Sequence, residues 1–160
     1  MSQTFRVLLV EDDDSLRCCL GEFLASHGWE VAATAYGQEA TELAQRHRFD
    51  FTILDFHLPG TTGVRVFQQL IAIRPLPAIL MSGLATIEEA TAARQAGFFT
   101  FLRKPLELER LRQSVQQLIQ THFGGPLAWH PTIQPVLPTR CQQDHQAAQN
   151  PPPRRPRPEC

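Results

Sequence analysis

The 160-residue sequence contains no apolar run long enough to span a membrane, and its start shows no small-residue cleavage site of a signal peptide. Four acidic residues follow the first apolar run, so we expect a cytoplasmic location. The four cysteines lack the spacing of a zinc site. Residues 1–123 carry 11 basic and 14 acidic side chains, so nucleic acid is not an expected partner of this region.

Between residues 5 and 123, five apolar segments alternate with five segments of helical periodicity. This alternation predicts a doubly wound α/β domain with a five-stranded parallel sheet, and the flavodoxin-like strand order 2-1-3-4-5 suits five such units. The fourth helix is rich in alanine and only weakly amphipathic, through Ile87, Ala90 and Ala93. The predicted strands are 5–10, 29–35, 51–54, 78–81 and 98–103, and the last four predicted helices are 37–48, 63–73, 86–96 and 108–123.

The composition changes at Gly124. Residues 124–160 contain most of the 13 prolines, show no helical period and hold little apolar content. We therefore predict a domain over residues 1–123 and a disordered or polyproline-like tail over residues 124–160. The tail is a tether, a polyproline ligand or a segment without function, and the sequence does not rank these.

Polar side chains stand at the carboxyl ends of four predicted strands. Glu11 and Asp12 follow the first strand, Asp55 the third, Ser82 the fourth and Lys104 the fifth. In the 2-1-3-4-5 order these ends meet at one edge of the sheet, where such folds bind ligands. Each residue alone also has an ordinary explanation as a helix cap, a turn or a surface residue, but their agreement predicts a single site.

These residue types together indicate phosphoryl transfer. Three carboxylates in one crevice repel each other unless a cation neutralises them or a pKa rises, and oxygen ligands suit Mg²⁺. The Lys104 ammonium and the Ser82 hydroxyl suit phosphoryl oxygens. We therefore expect Asp55 to accept a phosphoryl group as an acyl phosphate in a Mg²⁺-dependent reaction. The turn residues after Asp55, which include Gly63, fit a loop beside the site.

The segments LLVEDD, ILDFHLPGTTG, ILMSG and FLRKP occur in this order, and residues 5–121 resemble the receiver domain of two-component response regulators. The resemblance implies that Asp55 is the phosphoacceptor. It also implies that Asp12 binds Mg²⁺ directly, that Glu11 does so through water, and that the backbone carbonyl of His57 completes the protein ligands. The position of Arg17 makes Glu11 and Asp12 the acidic pair.

The resemblance further implies that Ser82 moves toward the phosphoryl group, that Lys104 pairs with that group, and that the Lys104–Pro105 peptide is cis. Phe101 matches the aromatic switch position, with ordinary strand packing as its alternative. His57 and Leu84 fall at positions that tune dephosphorylation in the family, where bulky Leu84 would shield the acyl phosphate from water.

The function implied is that of a stand-alone response regulator, phosphorylated by a histidine kinase or a histidine phosphotransfer protein and contacting a downstream protein through residues 86–121. Its only catalysis would be its own phosphorylation from phosphohistidine. The alternatives are a transcriptional regulator whose basic tail contacts nucleic acid, a pseudo-receiver that binds proteins without phosphate, and an aspartate-nucleophile phosphatase. The phosphatase would need a second catalytic group near Asp55, where His57 stands.

Overall fold

The computed structural model describes residues 4–124, so the predicted tail beyond Gly124 lies outside the described residues. No helix in the described part is long and apolar enough to cross a membrane. The elements are β1 (Arg6–Val10), α1 (Asp14–Ala25), β2 (Glu30–Thr34), α2 (Gly37–Arg46), β3 (Phe51–Asp55), β4 (His57–Leu58), β5 (Thr61–Thr62), α3 (Gly63–Ile73), β6 (Ala78–Ser82), α4 (Ile87–Ala96), β7 (Thr100–Arg103) and α5 (Leu108–Phe123).

The main sheet has five parallel strands in the order β2-β1-β3-β6-β7. This order is the predicted 2-1-3-4-5, because β4 and β5 form a separate antiparallel hairpin of two-residue strands that the sequence did not predict. The register pairs Val10 with Leu54, Leu54 with Leu80, and Leu80 with Phe101. The carboxyl ends of these four strands therefore lie level along one edge.

Helices cover both faces of the sheet, and the central strands β3 and β6 are buried throughout. Alternate residues of a strand point to opposite faces, so Leu9 packs in one apolar cluster with α1 and α5, while Leu8 packs in a second cluster with α2, α3 and α4. Strands buried on both faces read as continuous apolar runs, which is the pattern that identified them in the sequence.

The inward face of α4 differs from the predicted one. Ile87, expected to face the core, is 83% exposed, whereas Ala93 is buried as expected and Glu89 is buried with it. Glu89 and Ala93 are four residues apart and so lie on one face of the helix. A carboxylate thus occupies the place where an apolar side chain was expected, and its partners are described with the site below.

Candidate functional site

The aligned strand ends bring the predicted site residues to one edge of the sheet. Asp55 and Ser82 are the last residues of β3 and β6, and Glu11 and Lys104 directly follow β1 and β7. The Lys104 N–H donates to the Ser82 carbonyl at 2.8 Å, and the Glu11 N–H donates to the Thr34 carbonyl at 3.0 Å. These backbone bonds continue the pattern of the sheet past the strand ends and fix where the two side chains begin.

Three carboxylates meet at this edge. Glu11, Asp12 and Asp55 each offer an oxygen, and these oxygens lie within 4.8 Å of one another. Glu11 and Asp55 are buried, and Asp12 is exposed. The cluster is therefore closed on the protein side and open to solvent at Asp12.

Lys104 is the only lysine in the sequence, and its ammonium joins two of these carboxylates. Its Nζ lies 2.8 Å from Glu11 Oε2 and 3.0 Å from Asp55 Oδ2. Partial burial by itself would lower the pKa of Lys104, but its bonds to Glu11 and Asp55 outweigh burial and raise that pKa above its ordinary value. The ammonium is therefore charged and lies against Asp55, and its binding of phosphoryl oxygens stays a prediction.

The pKa of Glu11 is raised because its carboxylate is buried at an edge where three carboxylates lie close together. Burial, reinforced by the nearby charge of Asp55, raises the pKa of Glu11 to about 7, although bonds from Lys104 and from the Asp13 N–H partly oppose the rise. Glu11 Oε2 is fully buried and, within the described residues, its contact is the ion pair with Lys104 at 2.8 Å rather than a well-aligned hydrogen bond, while the oxygens of Asp12 and Asp55 lie nearby. Oxygen donors with unneutralised charge suit a hard divalent cation, so these residues fit Mg²⁺.

The start of α1 separates the acidic pair from its acidic neighbours. The Asp13 side chain accepts from the Leu16 N–H at 2.8 Å and caps the helix, so it has a structural role. Arg17 donates through Nη1 to the Glu11 carbonyl at 2.9 Å and pairs with Asp14. Glu11 and Asp12 are left as the pair directed at Asp55.

The loop after Asp55 is held by close backbone contacts. A Cβ at Gly63 would lie 2.2 Å from the Asp55 carbonyl oxygen, and the Gly63 N–H donates to the Phe56 carbonyl at 2.8 Å. The His57 N–H donates to Asp55 Oδ1 at 3.3 Å. Only glycine allows α3 to begin this close to the Asp55 backbone. Metal binding through the His57 carbonyl stays a prediction.

Ser82 is fully buried, and its hydroxyl donates to a residue that sequence reasoning missed. Its Oγ lies 2.6 Å from Glu89 Oε2, and the other oxygen of Glu89 lies 2.7 Å from His57 Nε2. Burial by itself would raise the pKa of Glu89, but its bonds to Ser82 and His57 outweigh burial and lower that pKa. The available sequence signal was an acid four residues before an inward alanine, close after a polar strand end.

Two further predicted features have clear positions. The Lys104–Pro105 peptide is cis, which confirms that prediction. Phe101 is partly buried and packs against the cluster that includes Ala93, beside a cavity of about 420 Å³ lined also by residues of α5. Leu84 is 66% exposed.

The sequence model of the response regulator receiver domain matches residues 7–116, so the chain belongs to this family. Receiver domains act in two-component signalling, where they interact with histidine kinases and downstream effectors. They are signalling modules rather than ordinary enzymes, and phosphorylation and Mg²⁺ binding at an acidic pocket are general for the family.

Known relatives agree with this assignment. The chain is 31% identical over 115 residues to the transcriptional regulatory protein GlrR of Escherichia coli, covering 71% of this chain and 26% of GlrR. It is 31% identical over 112 residues to the transcriptional regulatory protein PdtaR of Mycobacterium tuberculosis, covering 69% of this chain and 55% of PdtaR. The chain thus spans between about a quarter and about half of these two relatives. The solved structure of chemotaxis protein CheY4 of Vibrio cholerae is 28% identical with a TM-score of 0.68, covering 72% of this chain and 99% of CheY4.

Proposed function

We propose that Asp55 of this chain accepts a phosphoryl group from a phosphohistidine of a histidine kinase or a histidine phosphotransfer protein. A carboxylate oxygen of Asp55 attacks phosphorus as the phosphorus–nitrogen bond breaks, and the product is an acyl phosphate. The observation that carries this proposal is the Lys104 ammonium 3.0 Å from Asp55, within a set of three converging carboxylates. Lys104 would bind a phosphoryl oxygen, and the Ser82 hydroxyl would turn toward another.

The metal-binding part of the proposal assigns Mg²⁺ to Asp12 and Asp55 directly, to Glu11 through water and to the backbone carbonyl of His57. When bound, Mg²⁺ would neutralise the negative charge of these carboxylates and of the transferred phosphoryl group. The protein's own contribution is to hold Asp55 by the His57 N–H at 3.3 Å and by Lys104 at 3.0 Å, so that the nucleophile is oriented before the donor arrives.

The test is the intact mass of the protein after incubation with acetyl phosphate and Mg²⁺. We expect the wild type to gain one phosphoryl group and Asp55→Asn to gain none. Asp13→Asn is the matched control, because asparagine also caps helices well and the side chain lies outside the acidic pair; this variant should be labelled like the wild type. A labelled Asp55→Asn protein would refute the assignment. If neither acetyl phosphate nor a phosphohistidine donor labels the wild type, the protein is a pseudo-receiver.

The proposed output surface is formed by residues 86–121, which include α4, β7 and α5. Two large apolar side chains are exposed near the start of α4, Leu84 at 66% and Ile87 at 83%, and Ala85 between them lines the cavity beside Phe101. Contiguous apolar patches on a surface mark protein contacts, and two large exposed apolar side chains three residues apart support the proposal that this surface is one. We expect the amide signals that shift on binding the phosphoryl analogue beryllofluoride to concentrate in this range. Shifts confined to the other helices would contradict the proposal.

A second candidate function is regulation of transcription, because GlrR and PdtaR are transcriptional regulators by name. The basic residues that would contact nucleic acid lie in the predicted tail, outside the described residues. Contacts by four arginines to phosphates would give weak binding that salt abolishes, without base readout. No DNA retardation at low salt is the expected result.

Whether the receiver stands alone is tested by the mass of the native protein.

A further inference from the structure

Glu89 is a buried carboxylate that bridges the candidate site and the start of α4. Its side chain is 8% exposed, and its two oxygens are divided between the Ser82 hydroxyl at 2.6 Å and His57 Nε2 at 2.7 Å. Ser82 ends β6, and His57 begins the hairpin after Asp55. One side chain therefore joins two of the strand-end segments around Asp55 to the first turn of α4.

The backbone of Glu89 is fixed independently of these bonds. Thr86 caps α4, and its hydroxyl accepts from the Glu89 N–H at 3.1 Å. Threonine followed three residues later by glutamate is the sequence of a capping box, in which the glutamate side chain returns to the cap. Here the carboxylate is directed to Ser82 and His57 instead. The helix thus starts in the usual way, while its acidic side chain serves the site.

A hydroxyl has one proton, so it donates one strong hydrogen bond at a time. Carboxylate and phosphoryl oxygens are both acceptors, so Glu89 and a phosphoryl group on Asp55 compete for the same Ser82 proton. We propose that Glu89 is a positioning residue that holds the Ser82 hydroxyl and the start of α4 in the unphosphorylated arrangement, and that phosphorylation of Asp55 breaks the Ser82–Glu89 bond. This inference rests on the proposed function of Asp55 and Ser82.

Breaking that bond has a consequence for α4. Glu89 would keep His57 but lose its second side-chain partner while buried, and a buried carboxylate with fewer partners is unfavourable. The first turn of α4 would relieve this by moving toward solvent. Exposed Leu84 and Ile87 flank that turn, so the movement would change the apolar surface that a partner meets.

Two simpler roles for Glu89 make different predictions. Its negative charge would oppose a phosphoryl group nearby, and that effect does not need Ser82. In the second role, Glu89 only stabilises the fold, and its replacement would not change ligand affinity in a defined direction. The variants Glu89→Ala and Glu89→Gln, each with and without Ser82→Ala, separate these roles. Glu88→Ala is the matched control, because Glu88 is the adjacent acid on α4 and is exposed.

The experiment measures the affinity of the full chain for beryllofluoride at fixed Mg²⁺. We expect Glu89→Ala to bind at least about tenfold more tightly than the wild type, because the unphosphorylated arrangement loses a hydrogen bond to a charged group. Glu89→Gln retains an acceptor for Ser82, so its affinity for beryllofluoride should lie between those of the wild type and Glu89→Ala. Glu88→Ala should match the wild type. In the Ser82→Ala background, Glu89→Ala should have no effect.

A second readout needs no ligand. The amide signals of residues 83–90 in unliganded Glu89→Ala should lie displaced toward those of the wild type bound to beryllofluoride. Unchanged or weaker binding by Glu89→Ala would overturn the proposal, and an equal gain in the Ser82→Ala background would show charge repulsion instead. If Glu89→Ala does not fold, the same comparison with Glu89→Gln decides, and no gain overturns the proposal. Failure of the proposed function looks different: wild type and Asp55→Asn would then bind beryllofluoride equally or not at all.

Discussion

Replacement of Glu11 by glutamine should remove a specific loss of stability as the pH rises. In the metal-free fold, burial raises the pKa of Glu11 from 4.5 to about 7. The folded protein then binds this proton more tightly than the unfolded chain does. The free energy of unfolding therefore falls as the pH rises from 4.5 to 7, and the contribution is fully lost above that range.

The size of the effect follows from the difference between the two pKa values. At about 1.4 kcal/mol per pKa unit, a change from 4.5 to about 7 corresponds to about 3 kcal/mol. For a domain of this size, that change lowers the melting temperature by roughly 10 °C. Other groups titrate in the same range, among them His27, whose partial burial lowers its pKa. The informative quantity is therefore the difference between wild type and Glu11→Gln, in which these other contributions cancel.

The assay is urea unfolding at pH 5, 6, 7 and 8 with a chelator present, for the wild type and for Glu11→Gln. We expect the difference in unfolding free energy between the two proteins to change by about 3 kcal/mol across this range, in favour of the variant at high pH. The Lys104 ion pair forms only when Glu11 is ionised, and its effect is already contained in the pKa of about 7. Any effect of the substitution that does not depend on protonation changes the free-energy difference by the same amount at every pH. A difference that stays constant with pH would refute the reasoning that Glu11 is buried beside Asp55 with its charge uncompensated.

Three further outcomes test other parts of the structure. Gly63→Ala would place a carbon 2.2 Å from the Asp55 carbonyl oxygen, so we expect this variant to lose about 2 kcal/mol of stability in urea unfolding and to bind Mg²⁺ more weakly. The control is Gly83→Ala, whose added carbon meets nothing within 4 Å and which should unfold like the wild type. Thr52→Val removes the buried hydrogen bond at 2.8 Å from β3 to the β1 backbone and should cost about 1 kcal/mol in the same assay, with an unchanged slope against urea. Because Mg²⁺ needs the ionised carboxylate, calorimetric Mg²⁺ affinity should rise about tenfold from pH 6 to pH 8 in the wild type and stay flat in Glu11→Gln.

The sequence predicted the strand order and the strand-end residues because both depend on local patterns. Apolar runs such as VLLV and FTIL end abruptly at polar residues, and the alternation of strands with helices leaves few orders for the sheet. The parallel register then brings Glu11, Asp55 and Lys104 together without further information. Their roles in phosphoryl transfer stay predictions that the labelling experiment tests.

The features that were missed depend on contacts distant in sequence or too short to show a period. Glu89 is buried because Ser82, seven residues earlier, and His57, 32 residues earlier, satisfy its carboxylate. In an alanine-rich helix the largest apolar residue, Ile87, dominates the pattern, and it faces solvent. The β4–β5 hairpin has strands of two residues, which show no alternation. Gly63 was predicted as a turn residue, but its reason is the close approach of the Asp55 backbone.

Lys104 alone does not neutralise the negative charge of the site. Three ionised carboxylates and one ammonium leave a net charge of −2 in a partly buried crevice. Without metal, this excess is reduced by a proton on Glu11, whose pKa is raised to about 7. A divalent cation would remove the excess completely and release that proton, so the metal and the proton are alternative ways of neutralising the same cluster. A phosphoryl group on Asp55 would then add new negative charge within reach of the only lysine in the chain, while Glu89 holds the Ser82 hydroxyl away. Two features therefore stabilise the unphosphorylated, metal-free structure: a proton on Glu11 and the hydrogen bond from Ser82 to Glu89. Each can be removed by a single substitution.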